Sequence, residues 1–391
     1  MSYGLYLHIP FCATKCPYCD FYSGAFAADR IPSYLDAVAV EIERAAAEPE
    51  VGALLNRGPA ESLFLGGGTP SHLPPDDLAR LLGAIRRRLP LAGDAEVTAE
   101  ANPESLDAEK AAALRDLGVN RVSVGVQSLD DAVLSRLGRP HDARQAAAAA
   151  VLARAQFSRV NFDLILAVPG LTRAALARTL DRLLDLGPDH LSAYGLTFEP
   201  GTAFGALKAR GDLHEMPDDE YVAQDELTEE RCRQAGLERY EVSNYARAGE
   251  ACRHNLAIWR GGYYLGLGPS AHAYLPAGEH GMRRANVADL GAYVARIQRG
   301  ESPVARVERL GAEAAIAECL LLGLRLAEGV DLDAFERRFS ISFEAATGGA
   351  AEPLLTRGLL ARRGRRLVAT PSGRWVLDSI LLRLTSQLAA A

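Results

Sequence analysis

A chain of 391 residues, 48% hydrophobic and 24% charged, can bury a large core and is long enough for more than one domain. Its formal net charge of −7, with lysine only at Lys15, Lys110 and Lys208, gives no general pull toward nucleic acid or an anionic membrane. No apolar run approaches the roughly 20 residues of a membrane span, Met1 to Tyr6 lacks the basic start of a secretory signal, and six cysteines without a disulfide-like pattern suit a reducing compartment, so a cytoplasmic protein is expected.

The first predicted element is a strand, Leu5 to Ile9, which delivers Cys12-Ala13-Thr14-Lys15-Cys16-Pro17-Tyr18-Cys19. Three thiols on one short loop can converge on a single inorganic centre. A structural zinc site commonly takes two separated cysteine pairs, and here the remaining cysteines, Cys232, Cys252 and Cys319, stand apart. A cubane [4Fe-4S] cluster offers four irons. Three thiolates would leave one iron open to an outside ligand.

The periodicity then predicts an amphipathic helix over Ile31 to Ala47, with Tyr34, Leu35, Val38 and Ile42 on one face, and a strand over Glu61 to Leu65 that runs into Gly66-Gly67-Gly68-Thr69-Pro70. Pro74-Pro75-Asp76 opens a helix to Leu89. The alternation continues with strand Glu96 to Ala101, helix Asp107 to Leu117, strand Arg121 to Val126, helices between Asp130 and Ala155, and strand Arg159 to Leu166. Helix Thr172 to Leu186 and strand His190 to Leu196 complete six strand-helix units, which predict parallel strands in a barrel or an open sheet. In either arrangement the chemistry belongs at the C-terminal ends of the strands.

Beyond residue 200 the pattern loosens into a helix over Tyr221 to Gln234, a short strand over Arg239 to Val242, and a glycine-rich stretch, Gly261 to Gly268, that reads as loop. The last part, 305–391, carries helices over Glu313 to Leu326 and Leu332 to Phe339, a hairpin over Leu359 to Thr370 turning at Gly364, and a final helix, the order of a small winged-helix-type α+β domain. Domains are therefore expected at 1–235, 236–304 and 305–391.

Several residues have chemistry suited to a site. Gly67, Gly68 and Thr69 offer backbone that a ligand can approach closely, without the lysine of a phosphate-binding loop. Glu100 ends a strand, where it is either a ligand-facing carboxylate or an exposed cap. Gln127, Arg139 and Asp163 are an amide, a guanidinium suited to carboxylate and an acid inside apolar Phe162-Asp163-Leu164; each reads equally as a structural hydrogen bond or ion pair. His254, taken alone, reads as a satisfied structural histidine, and Trp259, Tyr263 and Tyr264 suit a packed core under the glycine-rich stretch. Cys252, His8 and His272 are weaker candidates, and the arginines of the final hairpin read as a solvated wing or a contact surface.

The cysteine spacing with Tyr18 before the last cysteine, and the glycine run after the second strand, resemble the radical S-adenosylmethionine (SAM) superfamily. Tyr6 to Cys12, Gly66 to Pro70, Glu100 to Pro103, Gly125 to Ser128, Asp163 to Ile165 and Leu267 to Ala271 narrow the resemblance to the oxygen-independent coproporphyrinogen III dehydrogenase (HemN) family and its heme chaperone group, across the whole chain. The resemblance implies a partial (β/α)6 TIM-type barrel with a small C-terminal domain. It implies a [4Fe-4S] cluster on Cys12, Cys16 and Cys19 with SAM on the fourth iron. Tyr6 and Tyr18 would contact the carboxylate side and adenine of SAM, Gly67, Gly68 and Thr69 its methionine end, and Glu100, Gln127, Arg139 and Asp163 its polar remainder.

Two departures point away from the dehydrogenase: Phe21 stands where that enzyme has a further cysteine, and only eleven residues precede Cys12. Arg253-His254-Asn255-Leu256-Ala257-Ile258-Trp259 resembles the HNxxYW motif of the chaperone group, with Ile258 in place of the tyrosine, and the resemblance implies His254 as an axial heme ligand, with Trp259, Tyr263 and Tyr264 flanking a porphyrin face or packing a core. The resemblance therefore implies a heme carrier that delivers heme to acceptor hemoproteins, membrane respiratory enzymes among them, and that pairs with a second copy. The alternative is oxidative decarboxylation of coproporphyrinogen III.

Overall fold

The computed structural model describes residues 3–386 and Leu388. The six expected units are β1 (Gly4–Ile9) with α1 (Arg30–Ala45) and α2 (Pro49–Leu55), β2 (Ala60–Gly67) with α3 (Pro75–Arg88), β3 (Leu91–Ala101) with α4 (Ala108–Asp116), β4 (Arg121–Gln127) with α5 (Asp131–Arg136) and α6 (Ala143–Gln156), β5 (Arg159–Leu166) with α7 (Arg173–Leu184), and β6 (His190–Gly195). Strands β1 to β6 lie side by side in chain order and pair in parallel. The sheet does not close on itself. After α8 (Ala203–Arg210) and α9 (Asp218–Gln234), β8 (Asn244–Ala246) pairs antiparallel with β6, and β7 (Glu238–Arg239) pairs antiparallel with β8 at the edge.

Period-two alternation explains the layers. One face carries Leu63, Leu65, Val97, Ala99, Val122, Val124, Val160 and Phe162, all buried in one core with the apolar faces of the helices. Tyr34, Leu35, Val38 and Ile42 of α1 belong to it, as their spacing predicts. The opposite face carries Ser62, Thr98, Arg121, Ser123, Asn161, His190 and Ser192, and these are buried too. Parallel strands buried on both sides are ordinarily apolar on both. Here the inner face is a buried polar surface.

The glycine-rich stretch read as loop contains a strand. After α10 (Arg253–Trp259), β9 (Tyr264–Leu267) pairs in parallel with the outer side of β1, Gly4 opposite Tyr264. Gly266 is required there, because a Cβ would come within 1.9 Å of the His272 carbonyl oxygen. From β9 the sheet continues through β10 (His272–Leu275), β11 (Met282–Asn286) and, after α11 (Leu290–Gln298), β12 (Val304–Arg309), giving twelve strands. The strand expected over Arg239 to Val242 is shorter, ending at Arg239, because the chain turns back at once to form β8.

The C-terminal part follows its expected order: α12 (Ala312–Gly323), β13 (Val330–Asp331), α13 (Leu332–Phe339), α14 (Phe343–Ala346), α15 (Glu352–Thr356), the hairpin β14 (Leu360–Arg363) and β15 (Arg366–Ala369), then α16 (Pro371–Arg374) and α17 (Leu377–Thr385). Its core has Ile316, Leu320, Phe335, Phe343, Leu367 and Ile380 at the centre and takes in Tyr274 of β10. Hairpin arginines engage acids of the same domain: Arg362 with Glu344, Arg365 with Asp333 and Glu336.

Candidate functional site

The cysteine loop leaves β1 through a closed neck. The Cys12 N–H donates to the Gly24 carbonyl (3.0 Å) and the Gly24 N–H to the Pro10 carbonyl (3.0 Å), so residues 10 and 24 are tied together. The glycines after β2 sit against this neck. Gly68 N–H donates to the Ile9 carbonyl (2.8 Å) and Thr69 N–H to the Phe11 carbonyl (2.8 Å). Gly67 takes φ = 105°, a left-handed conformation that glycine tolerates.

Cys12, Cys16, Cys19 and Tyr18 of the loop line one cavity of about 550 Å³ together with Gly67, Gly68, Thr69, Glu100, Gln127, Arg139 and Asp163. It opens at the C-terminal ends of β1 to β6, where the strand alternation places it. Among the described residues no three His, Cys, Asp or Glu side chains converge on a single-ion position. The three thiols therefore do not form a preassembled mononuclear site, whereas a cubane separates its ligands over different irons.

Hydrogen bonds fix the polar wall. The Thr69 hydroxyl donates to Cys12 Sγ (3.5 Å) and receives the Asn102 Nδ2–H (2.8 Å). Arg139 spans three acceptors, Cys16 Sγ at 3.3 Å, Asn102 Oδ1 at 2.5 Å and the Gly125 carbonyl at 3.3 Å. Gly125 must lack a side chain, since a Cβ would lie 2.6 Å from Asn102 Oδ1. Gln127, at the last position of β4, has φ = 62°, sparsely populated for a residue with a Cβ and a mark of backbone held by its surroundings.

The floor holds two carboxylates. Glu100 accepts the Gly67 N–H (3.2 Å), and burial with the neighbouring Asp163 pushes its carboxyl up to about 8. Asp163 is also raised by burial, opposed by hydrogen bonds from Ser123 (2.8 Å) and Asn161 (2.8 Å). A pair of this kind favours a ligand that brings positive charge or hydrogen-bond donors.

Tyr6 and His254 lie apart from the residues lining the cavity. The Tyr6 hydroxyl is 3.0 Å from His8 Nδ1, and its ring stacks on Phe64. His254 sits on α10, which plugs the N-terminal mouth of the curved sheet. The residue is 4% exposed, Nδ1 is 2.9 Å from the Ser62 hydroxyl, and its ring lies 5.3 Å from that of Phe64. Burial, with Arg121 nearby, lowers its pKa to about 4, so the imidazole is neutral. Glu96 caps the plug, accepting the Cys252 S–H (3.4 Å) and the His254 N–H (3.3 Å).

Sequence reasoning missed Asn102, Ser123 and Tyr194 in the cavity wall, and Phe21, 70% exposed at its rim, was noted only for the cysteine it replaces. The signal available for the first two was strand parity: Ser123 lies two residues before Gly125, and Asn102 lies two after Glu100.

The model of the radical SAM superfamily matches residues 6–183, and that of the HemN C-terminal domain matches residues 310–376. The chain is 41% identical over 389 residues to the heme chaperone HemW of Mycobacterium tuberculosis H37Rv, covering 98% of this chain and 94% of that one. With the heme chaperone HemW of Bacillus subtilis it shares 32% over 371 residues, 94% of this chain and 95% of its relative. Among solved structures, coproporphyrinogen III oxidase (HemN) of Escherichia coli, a radical SAM enzyme, matches with a TM-score of 0.83 at 24% identity, over 99% of this chain and 91% of that one. That last likeness is one of fold.

Proposed function

Because the chain belongs to the HemW heme chaperone family of radical SAM proteins, we propose that it binds heme and passes it to acceptor hemoproteins, with a [4Fe-4S] cluster and SAM at its cavity. The observation that supports the cofactor assignment is the meeting of the three cysteines, the Gly67 to Thr69 turn, Arg139 and two carboxylates on one cavity.

In this reading Cys12, Cys16 and Cys19 hold the cluster. Gly67, Gly68 and Thr69 receive the methionine end of SAM, and Tyr18 the adenine. Glu100, Gln127, Arg139 and Asp163 take the remaining polar groups, and Tyr6 supports the site through His8. When bound, the cluster and SAM supply one-electron chemistry at the sulfonium. The protein's residues orient the ligand. Arg139 keeps a fixed cation beside Cys16, and the Asp163 carboxylate is held by Ser123, Asn161 and Ser192.

His254 is the proposed heme ligand. Its neutral imidazole is the ligating form, but Ser62 and Phe64 cover it in the plug. Coordination there therefore requires α10 to leave the mouth of the sheet. Residues 1–235 are assigned to the cofactors, 236–304 to heme and 305–391 to the C-terminal domain. Membrane respiratory enzymes are proposed among the acceptors, a second copy of the chain as a partner, and the cytoplasm as its compartment. No helix among the described residues is long and apolar enough to cross a membrane.

Heme titration of the anaerobically reconstituted protein tests the proposal. A saturable Soret band, shifted or weakened in His254→Ala, is expected. Absence of saturable binding overturns the chaperone reading, and indifference to the substitution removes the ligand assignment. Conversion of coproporphyrinogen III with SAM and dithionite would establish the dehydrogenase instead.

A further inference from the structure

The buried polar face of the sheet contains a hydrogen-bonded chain from the cavity floor to the plug. Asn161 Nδ2–H donates to Asp163 Oδ1 (2.8 Å), His190 Nδ1 lies 2.7 Å from Asn161 Oδ1, and His190 Nε2 lies 2.8 Å from the Tyr240 hydroxyl. The Cys252 backbone N–H, at the N-terminal end of α10, faces that same hydroxyl.

The direction of every bond follows from the ends. Asp163 accepts from Asn161, so the amide nitrogen points to the cavity and the amide oxygen points back. That oxygen can only accept, so His190 carries its proton on Nδ1 and presents Nε2 as an acceptor. Tyr240 must then donate to His190, which leaves its oxygen lone pairs for the Cys252 N–H. All four donors point toward the Asp163 carboxylate. A chain polarised in one sense strengthens or weakens together when the charge at its end changes.

Tyr240 is also where three parts of the molecule meet. It belongs to the turn between β7 and β8, its carbonyl accepts the Ala327 N–H (2.9 Å) beside α12 of the C-terminal domain, and its hydroxyl meets α10. The seven-residue α10 is docked against β2 and β3 with His254 beneath it, and its release would uncover that side chain. Of its N-terminal donors, the His254 N–H is held by Glu96 and the Cys252 N–H by Tyr240, while the Asn255 N–H turns back to the Cys252 sulfur.

We propose that Tyr240, through His190 and Asn161, couples the charge state and occupancy of Asp163 to the docking of the α10 plug, so that filling the cavity changes access to His254. This deepens the proposed function, since it takes SAM as the cavity ligand and His254 as the heme-side residue. Tyr240 is a positioning residue here. It touches neither ligand.

Hydrogen exchange of the α10 amides in the cluster-loaded protein provides the test, with heme absent. Tyr240→Phe removes one hydroxyl and keeps the ring. Asp163→Asn removes the charge at the far end. Each single substitution should speed α10 exchange roughly fivefold, a modest coupling, and the double variant should be no faster than the quicker single, because both cut one chain. Saturating SAM should change α10 exchange in the wild type and leave it unchanged in Tyr240→Phe. Effects that multiply in the double variant, or equal SAM responses in wild type and Tyr240→Phe, overturn the coupling. If Asp163→Asn does not fold, His190→Gln replaces it in the cycle. Exchange in β4 serves as the control for general loosening. A protein that failed to bind heme or SAM would sink the proposed function and leave the ligand-free cycle to decide the coupling.

Discussion

Gly68→Ala tests whether the neck of the cysteine loop is as closely fitted as the geometry states. Alanine's Cβ would stand 2.7 Å from the Phe11 carbonyl oxygen and 2.8 Å from both the Ile9 oxygen and the Pro10 carbonyl carbon, where ordinary contact begins at 3.4 Å. The shortfall is against backbone atoms, which no rotamer change can move. It cannot be relieved by sliding the strands apart either, because Gly68 and Thr69 each donate a 2.8 Å hydrogen bond across the same seam. Overpacking of this kind costs about 1–3 kcal/mol. In a chain this long that is a fall of a few degrees in Tm. The displaced atoms lead directly into Cys12, so cluster content should fall more than stability does. Thermal denaturation of the cofactor-free variant and iron and sulfide per chain after anaerobic reconstitution read the two effects. Wild-type Tm with full iron and sulfide would refute the steric reasoning.

Three further outcomes are expected. Glu100 has a folded pKa raised to about 8, above its unfolded value, so its contribution to stability is complete at acid pH and is lost as pH climbs toward 8; Glu100→Gln should flatten the decline in Tm of the cofactor-free protein between about pH 5 and 8, and an unchanged slope would count against the buried floor. Arg139→Lys cannot reach Cys16, Asn102 and Gly125 at once, and SAM binding measured by equilibrium dialysis should weaken roughly tenfold. Glu96→Ala leaves the Cys252 and His254 donors unsatisfied and should cost about 2–3 kcal/mol; limited proteolysis should then cut near α10, and wild-type resistance would show that the cap is dispensable.

The strand-helix alternation was legible because each unit pairs a helical stripe with a short strand, and β5 and α13 match their expected limits residue for residue. What escaped was structure set by partners distant in sequence. The stretch Tyr264 to Leu267 is a strand because β1 offers it an edge, and nothing in its glycine-rich composition announces that. β12 is exposed along nearly its whole length, so it lacks the in-out alternation that identifies a strand. The cavity residues were readable where an acid interrupts an apolar run, as at Asp163, or where glycines follow a strand. His190 and Tyr240 were not, since their meaning lies in a chain of contacts between elements fifty residues apart in sequence. His254 was singled out, but sequence gives no sign that the helix bearing it closes the sheet from the side opposite the cysteines.

The neck between residues 10 and 24 also bears on how the metal loop is made. Bringing the ends of a loop together costs entropy that grows with its length, and in many small metal sites the metal itself meets that cost by folding the chain around it. Here two backbone hydrogen bonds and the seam with Gly68 and Thr69 close the loop through main-chain groups, with no bond from a cysteine sulfur needed. The expected order of assembly has the sheet and its neck form first and an inorganic centre enter a finished frame, so its loss should leave a folded protein that can be reloaded.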